Sequence, residues 1–315
     1  NIPPPVPGGG QMKSLILFGV LVGSSGALAQ ASPQEAVPAP AAPPAEAVAP
    51  SGPSSPRLLT DAEQEAFLLE AEVVKTRRAP GGITNSTRAT LRRGDVVHDA
   101  HIQIIDEYKS QMALGSGTEI DFRDSWRNNV AAYRLDRLMG LGMVPVTVIR
   151  RDDETNKMAS FTWWIDDVLM TEKERFQKKI SSPDTEAWNR QIFIVRAFDQ
   201  LIYNFDRNLG NLVIDKDWTI WMIDHTRAFK IFKDLKSEKN LSDFCERDLL
   251  VALRSLQKPA LKKALDGVIS DGQIDSLLVR RDKIVKCYEQ KIAARGEGRV
   301  LYDLPSRLRV ATAPQ

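Results

Sequence analysis

The chain has 315 residues, enough for one large domain or two lobes, and at 43% apolar and 27% charged its composition is ordinary for a globular protein. Lys and Arg number 43 against 41 Asp and Glu, so the net charge of +2 gives no case for a nucleic-acid partner, which calls for a clearly basic domain. No run of about 18 apolar residues marks an ordinary membrane span, and three histidines with two unclustered cysteines argue against a structural zinc site.

Residues 1–11 precede the first methionine, Met12, and read as upstream translation or a start-site error. Lys13, the apolar run Leu15 to Val22 and the small residues ending Ala27-Leu28-Ala29 then match a secretory signal peptide, Met12 to Ala29, cleaved before Gln30. The competing readings are an uncleaved anchor or a chance apolar run. Export would place the protein in a periplasmic or extracellular space, where Cys245 and Cys287 either pair or stay as buried free thiols. Residues 30–57 are rich in Ala, Pro and Ser, cannot bury enough surface to offset chain entropy, and read as a disordered tether.

The first lobe is expected over residues 58–166. Thr60 to Glu63 fits a capping box, and Phe67, Leu68, Ala71 and Val74 recur at helical spacing, predicting a helix that stops before Pro80. Gly81 to Leu91 reads as a turn and a strand; its glycines and hydroxyls either make a plain hairpin turn or bring backbone N–H groups to a phosphate. Asp95 to Ile105 alternates as a strand, which puts His98 and His101 on opposite faces and disfavours a metal pair. Asp124 is the expected N-cap of a helix running to about Met139 and ended by Gly140 and Gly142. Two strands follow, Val144 to Ile149 and Ser160 to Ile165.

The second lobe is expected over residues 167–292. A short charged helix spans Thr171 to Lys179, and Pro183 opens a longer one whose apolar face is Ile192, Val195, Phe198, Leu201 and Ile202. Leu212 to Ile214 and Thr219 to Ile223 make a hairpin about Asp215 to Asp217. The rest is helical in period, and residues 293–315 read as a loosely held tail.

Between helix and hairpin lies the stretch that carries chemistry. Asp206 and Asn211 are five apart in one polar loop, and Asp224 ends the strand that follows. Phosphoryl transfer asks a protein for positioning and charge neutralisation: a carboxylate to accept a hydroxyl proton, and oxygen ligands for Mg²⁺. An Asp and an Asn at this spacing arise often by chance. The hairpin joining them to a second Asp makes the signal stronger.

Asp206-Arg207-Asn208-Leu209-Gly210-Asn211 and Ile223-Asp224-His225-Thr226-Arg227-Ala228-Phe229 resemble the catalytic and metal-binding loops of atypical kinases. The similar groups are the phosphoinositide-kinase-like enzymes, the Golgi-type secretory kinases and the bacterial persistence-toxin kinases. Asn129 to Leu138, with Gly140, Val144, Pro145 and Thr147, is similar to the αC helix and next strand of the Golgi type. The resemblance runs from about Gly81 to Phe229. It implies an α+β, two-lobed kinase-like fold with a strand-rich N-lobe holding one long helix and a mostly helical C-lobe. It implies ATP and Mg²⁺ as cofactors, Asp206 as catalytic base, Asn211 and Asp224 as metal ligands, and Asp199 as a brace for the loop. Gly82 and Thr84 would belong to the phosphate-covering loop. Trp164 and Asp166 would belong to the hinge, Trp163 to Asp166, against which adenine packs.

This sequence departs from the family at three places. The third loop residue, usually His, is Asn208; the αC position that holds Glu is Asn129; and the strand Lys has no clear counterpart, alignment placing Gln103 there while Lys109, just beyond, could reach in instead. An amide pair of Gln103 with Asn129 would hold the helix without the cation that grips the α- and β-phosphates. The sequence therefore predicts an exported phosphotransferase acting on an unidentified protein, lipid or sugar hydroxyl, or a pseudokinase that binds nucleotide or a partner without transfer. A carboxylate-paired hydrolase is a third class, with no motif of its own.

Overall fold

Thr60 begins the first helix with both bonds of a capping box. Its hydroxyl accepts from the Glu63 amide at 3.3 Å, and the Glu63 carboxylate takes the Thr60 amide at 2.8 Å. The computed structural model describes residues 59–78, 86–114 and 117–304. The signal-peptide and tether segments, Gly82, Thr84 and the last eleven residues lie outside them. Helix α1 (Asp61–Glu70) is shorter than its periodicity predicts. Residues Glu72–Arg78 instead form strand β1. Val73, Val74 and Thr76 are β-branched and favour extended backbone; Val73 and Thr76 pair antiparallel with β2 (Thr87–Arg93), with the register shifting at Val74.

Gly94, at φ +58°, turns β2 into β3 (Val96–Gln103). A hairpin absent from the sequence reading comes next, β4 (Asp106–Leu114) with β5 (Gly117–Ser125). Helix α2 (Trp126–Leu138) follows directly. Its cap is Ser125, whose hydroxyl accepts from the Arg127 amide at 3.2 Å, and not Asp124, which belongs to β5. Gly140 and Gly142, both at φ +67°, end the helix as expected. Strands β6 (Thr147–Arg151) and β7 (Met158–Trp163) complete an antiparallel sheet in the order β1-β2-β3-β7-β6.

Register sorts the faces of this sheet. Ala89, Ala100, Ile102 and Phe161 fall on one face and are buried, and Phe67 of α1 packs edge-on against Trp163 at 5.6 Å. The other face is polar: Arg88, His101, Thr162 and Thr147 form one row across four strands, with Gln103 and Ser160 paired in the next.

The second lobe opens with β8 (Val168–Thr171) and α3 (Glu172–Gln177), which has a second capping box at Thr171. Helix α4 (Thr185–Leu201) is capped by Asp184 and buries Ile192, Val195, Phe198 and Leu201. Strands β9 (Leu212–Asp215) and β10 (Ile220–Met222) form the expected hairpin, and β8 adds to it as a third strand. Then come β11 (Cys245–Glu246), α5 (Arg247–Ser255), α6 (Lys258–Ala264), α7 (Asp271–Arg295), α8 (Glu297–Val300) and β12 (Leu301–Tyr302).

The tail expected from Ala293 is held through residue 304. Helix α7 runs on to Arg295, β12 pairs with β11, Val300 is buried, and the Tyr302 hydroxyl donates to Arg190 O at 2.6 Å. Arg280 of α7 is fully buried with carbonyls as its partners: it donates to Leu201 O at 2.8 Å, Lys230 O at 3.0 Å and Phe232 O. It thereby ties the end of α4 to the segment after Phe229. Cys245 and Cys287 are free, buried thiols. Among the described residues no helix is long and apolar enough to cross a membrane.

Candidate active site

The polar loop after α4 is shaped by its buried members. Asn204 is buried; its amide nitrogen donates to Asp199 Oδ1 at 3.0 Å and its amide oxygen accepts from the Asp206 N–H at 3.3 Å. Arg207, also buried, donates to both oxygens of Asp199, to Asn211 O at 3.0 Å and to Ile223 O at 2.8 Å. One guanidinium thus fixes the end of α4, the far end of the loop and the strand end before Asp224. Asn208 accepts from the Gly210 N–H at 2.9 Å and starts the short turn Leu209–Asn211, so it shapes the loop at the position where the sequence departs from the pattern it resembles.

These contacts leave the expected functional groups outermost. Asp206 is exposed, and its carbonyl accepts from the Asn211 amide nitrogen at 3.3 Å. That bond turns the Asn211 amide oxygen into the group available to a cation. Asp224 is exposed, sits at φ +54°, and accepts from the Thr226 hydroxyl at 3.1 Å. A left-handed Asp is uncommon and is tolerated here because the residues after it are pinned. Asn129 Oδ1 accepts from the His225 N–H at 2.7 Å, and Asn128 Nδ2 donates to Thr226 O at 2.7 Å and Ala228 O at 3.0 Å. His225 is buried and receives a hydrogen bond on Nε2 from Arg207 at 2.9 Å. Burial, then the Arg207 charge, holds its pKa well below 6.5, so the ring is neutral and structural.

The remaining sequence candidates separate into three groups. Gln103 is 4% exposed on the polar face of the sheet, opposite Ser160, and the Asn129 amide nitrogen reaches the same Ser160 hydroxyl at 3.5 Å. Asn129 thus reaches the strand residue that pairs with Gln103 across the sheet. Lys109 does not join them: it stands on the hairpin, half exposed, 3.4 Å from Glu107 and over the Phe122 ring. Trp164 and Asp166 sit at the far end of β7. The Trp164 ring is covered by the Arg88 guanidinium at 3.9 Å, and Asp166 takes a hydrogen bond from His98 at 2.9 Å that lowers its pKa.

Several residues at the site have contacts that the sequence did not show. Glu119 of β5 pairs with Arg227 and, at 2.6 Å, with Lys230, which also donates to Asp121 O at 2.6 Å. Burial opposes the Glu119 charge, but these two cations outweigh it and keep its carboxyl below the usual range. The hairpin is thus clamped onto the segment that follows Asp224. Lys236 donates to Phe205 O at 2.7 Å, beside Asp206; burial lowers its pKa against the pull of Asp199 and Asp206. His101 lies within the field of Asp224, and burial outweighs that carboxylate to leave its pKa lowered. Asp124, noted from sequence only as a cap, is 8% exposed beside Thr226. Burial raises its pKa, the Thr226 hydroxyl works against that, and the Asp224 charge adds to it. The partners of Glu119 and Lys236 lie far off in sequence, where no local pattern points to them.

No protein-family model matches this chain, and no curated protein sequence matches it. Solved structures do. Hydra Fam20, determined with sugar, is 14% identical, with a TM-score of 0.59 over 77% of this chain and 92% of that one. The Golgi casein kinase is 14% identical, with a TM-score of 0.55 over 78% of this chain and 80% of that one, and one such structure holds Mn and ADP. The fold is that of an atypical kinase, mixed α+β, with an antiparallel strand-rich N-terminal sheet and a helical C-terminal part.

Proposed function

We propose that this protein is a kinase-like phosphotransferase that binds a nucleoside triphosphate and a divalent cation between its lobes. The observation that carries the reading is the geometry at Asp224: an exposed, left-handed carboxylate beyond the strand end, joined through Ile223 N–H to Asn211 O at 3.1 Å. The donor set fits a hard cation: a carboxylate at Asp224 and an amide oxygen at Asn211, both oxygens. Mg²⁺ or Mn²⁺ bound there supplies neutralisation of the nucleotide phosphates. Asp206, exposed on the same loop as Asn211, accepts the proton of the incoming hydroxyl. Arg207 and Asn129 hold the two loops in register. The acceptor is a hydroxyl on a protein, lipid or sugar, and the signal-like Met12 to Ala29 segment supports export.

A second reading, nucleotide or partner binding without transfer, is favoured by one observation. The strand position for the phosphate-gripping cation holds Gln103, and Lys109 stands away on the hairpin. Thermal shift of the purified chain with ATP, with and without Mg²⁺, separates the two. A shift that needs Mg²⁺ and vanishes in Asp224→Ala supports the metal–nucleotide site. Turnover that vanishes in Asp206→Asn while the shift remains supports transfer. No shift with any nucleotide overturns both.

A further inference from the structure

Asp124 sits in β5, one residue before the cap of α2 and beside the loop of Asp224. It is 8% exposed, and its Oδ1 is buried without a hydrogen-bond partner. Buried carboxylate oxygens are nearly always satisfied, so this one calls for a cause. The Thr226 hydroxyl touches both Asp124 and Asp224, and lies 3.1 Å from Asp224 Oδ1. The backbone fixes this placement: Ser125 N–H donates to Thr226 O at 3.0 Å.

The charges facing Asp124 are mostly of its own sign. Asp224 and Glu107 repel it; Arg227 attracts it, but that guanidinium is bound to Glu119. The Thr226 hydroxyl donates to Asp224, so a residue needed only to fill the space beside it would do so better as Asn or Ser, without repulsion. Two carboxylates about one hydroxyl suit a small cation that prefers oxygen ligands.

We propose that Asp124 is a third oxygen donor of the divalent-cation site, beside Asp224 and Asn211, holding Mg²⁺ or Mn²⁺ directly or through one bound water. The inference rests on the reading of Asp224 and Asn211 as metal ligands. Asp124 then links the hairpin to the metal: the strand that carries it also carries Glu119, which grips the segment after Asp224.

The test is Mn²⁺ binding to the full chain without nucleotide, read by loss of the free-ion electron paramagnetic resonance signal. Asp124→Asn keeps the shape of the side chain beside Thr226, and is expected to weaken Mn²⁺ about 10–100-fold, the usual effect of losing a partner at a metal site. Its metal-free unfolding temperature should equal or exceed that of the wild type, because a repelled buried charge is gone. Asp124→Ser is a second variant with the same expectation. Mn²⁺ binding within twofold of wild type in either folded variant, with binding lost in Asp224→Asn, overturns the role of Asp124 alone. Absence of Mn²⁺ binding by the wild type overturns this inference together with the metal reading of Asp224.

Discussion

Arg207 holds Asp199 by both carboxylate oxygens, with Nε 3.2 and 3.0 Å from them, inside the base of the loop that carries Asp206. Both residues are buried, at 7% and 6% exposure. Removing one member of a buried pair strands the other charge, which costs about 3–5 kcal/mol. Asp199→Ala is therefore expected to lower stability by that order in urea melts. It should also abolish turnover, because Arg207 alone spans Asn211 O and Ile223 O. A fully stable Asp199→Ala protein would show that the pair is ornamental.

The hairpin clamp gives a prediction of the same kind with a built-in control. Lys230 is fully buried against Glu119. Glu119→Gln leaves that ammonium without its counter-charge and is expected to cost about 3 kcal/mol, with faster amide exchange across residues 224–231. Adding Lys230→Met to Glu119→Gln should recover much of the loss, since an apolar side chain needs no partner there. Additive losses in the double mutant would contradict the clamp.

Asn129 stands where the kinases that the sequence resembles place Glu, yet its amide oxygen serves the His225 N–H at 2.7 Å. Asn129→Ala leaves that buried N–H without an acceptor, and such a loss costs about 1–3 kcal/mol. Because His225 follows Asp224 directly, the same change should weaken Mn²⁺ binding by several-fold while leaving the rest of the fold intact. Unfolding melts and a Mn²⁺ titration on one preparation check both halves.

What the sequence makes legible is local. Thr60 and Glu63, Gly140 and Gly142, and the hairpin about Asp215 to Asp217 all lie within one turn's reach of their partners, and the structure has them as expected. The close spacing from Asp199 through Asp224 kept the loop readable for the same reason. The misses are of two kinds. Val74 fitted a helical stripe, yet β1 finds its hydrogen bonds on β2, a partner no short window contains. Glu119 and Lys230 lie 111 residues apart and show no periodicity, so the clamp and the hairpin bearing it emerge only from the fold.

Acid sensitivity should follow from His225. Its folded pKa is held well below 6.5, first by burial and then by the Arg207 charge, while in the unfolded chain it returns to about 6.5. Below that pH the unfolded state binds a proton that the folded state refuses. Stability is therefore full above pH 6.5 and falls as pH drops, by up to about 1.4 kcal/mol per pH unit from this one group. His225→Gln keeps an acceptor within reach of Arg207 but cannot titrate. Urea melts of wild type and His225→Gln at pH 7.5 and pH 5.5 isolate the effect, because every other titrating group is common to both. The wild type should lose more stability than the variant across that interval. Equal losses would mean that His225 is protonated in the folded protein, with the Arg207 hydrogen bond to Nε2 broken.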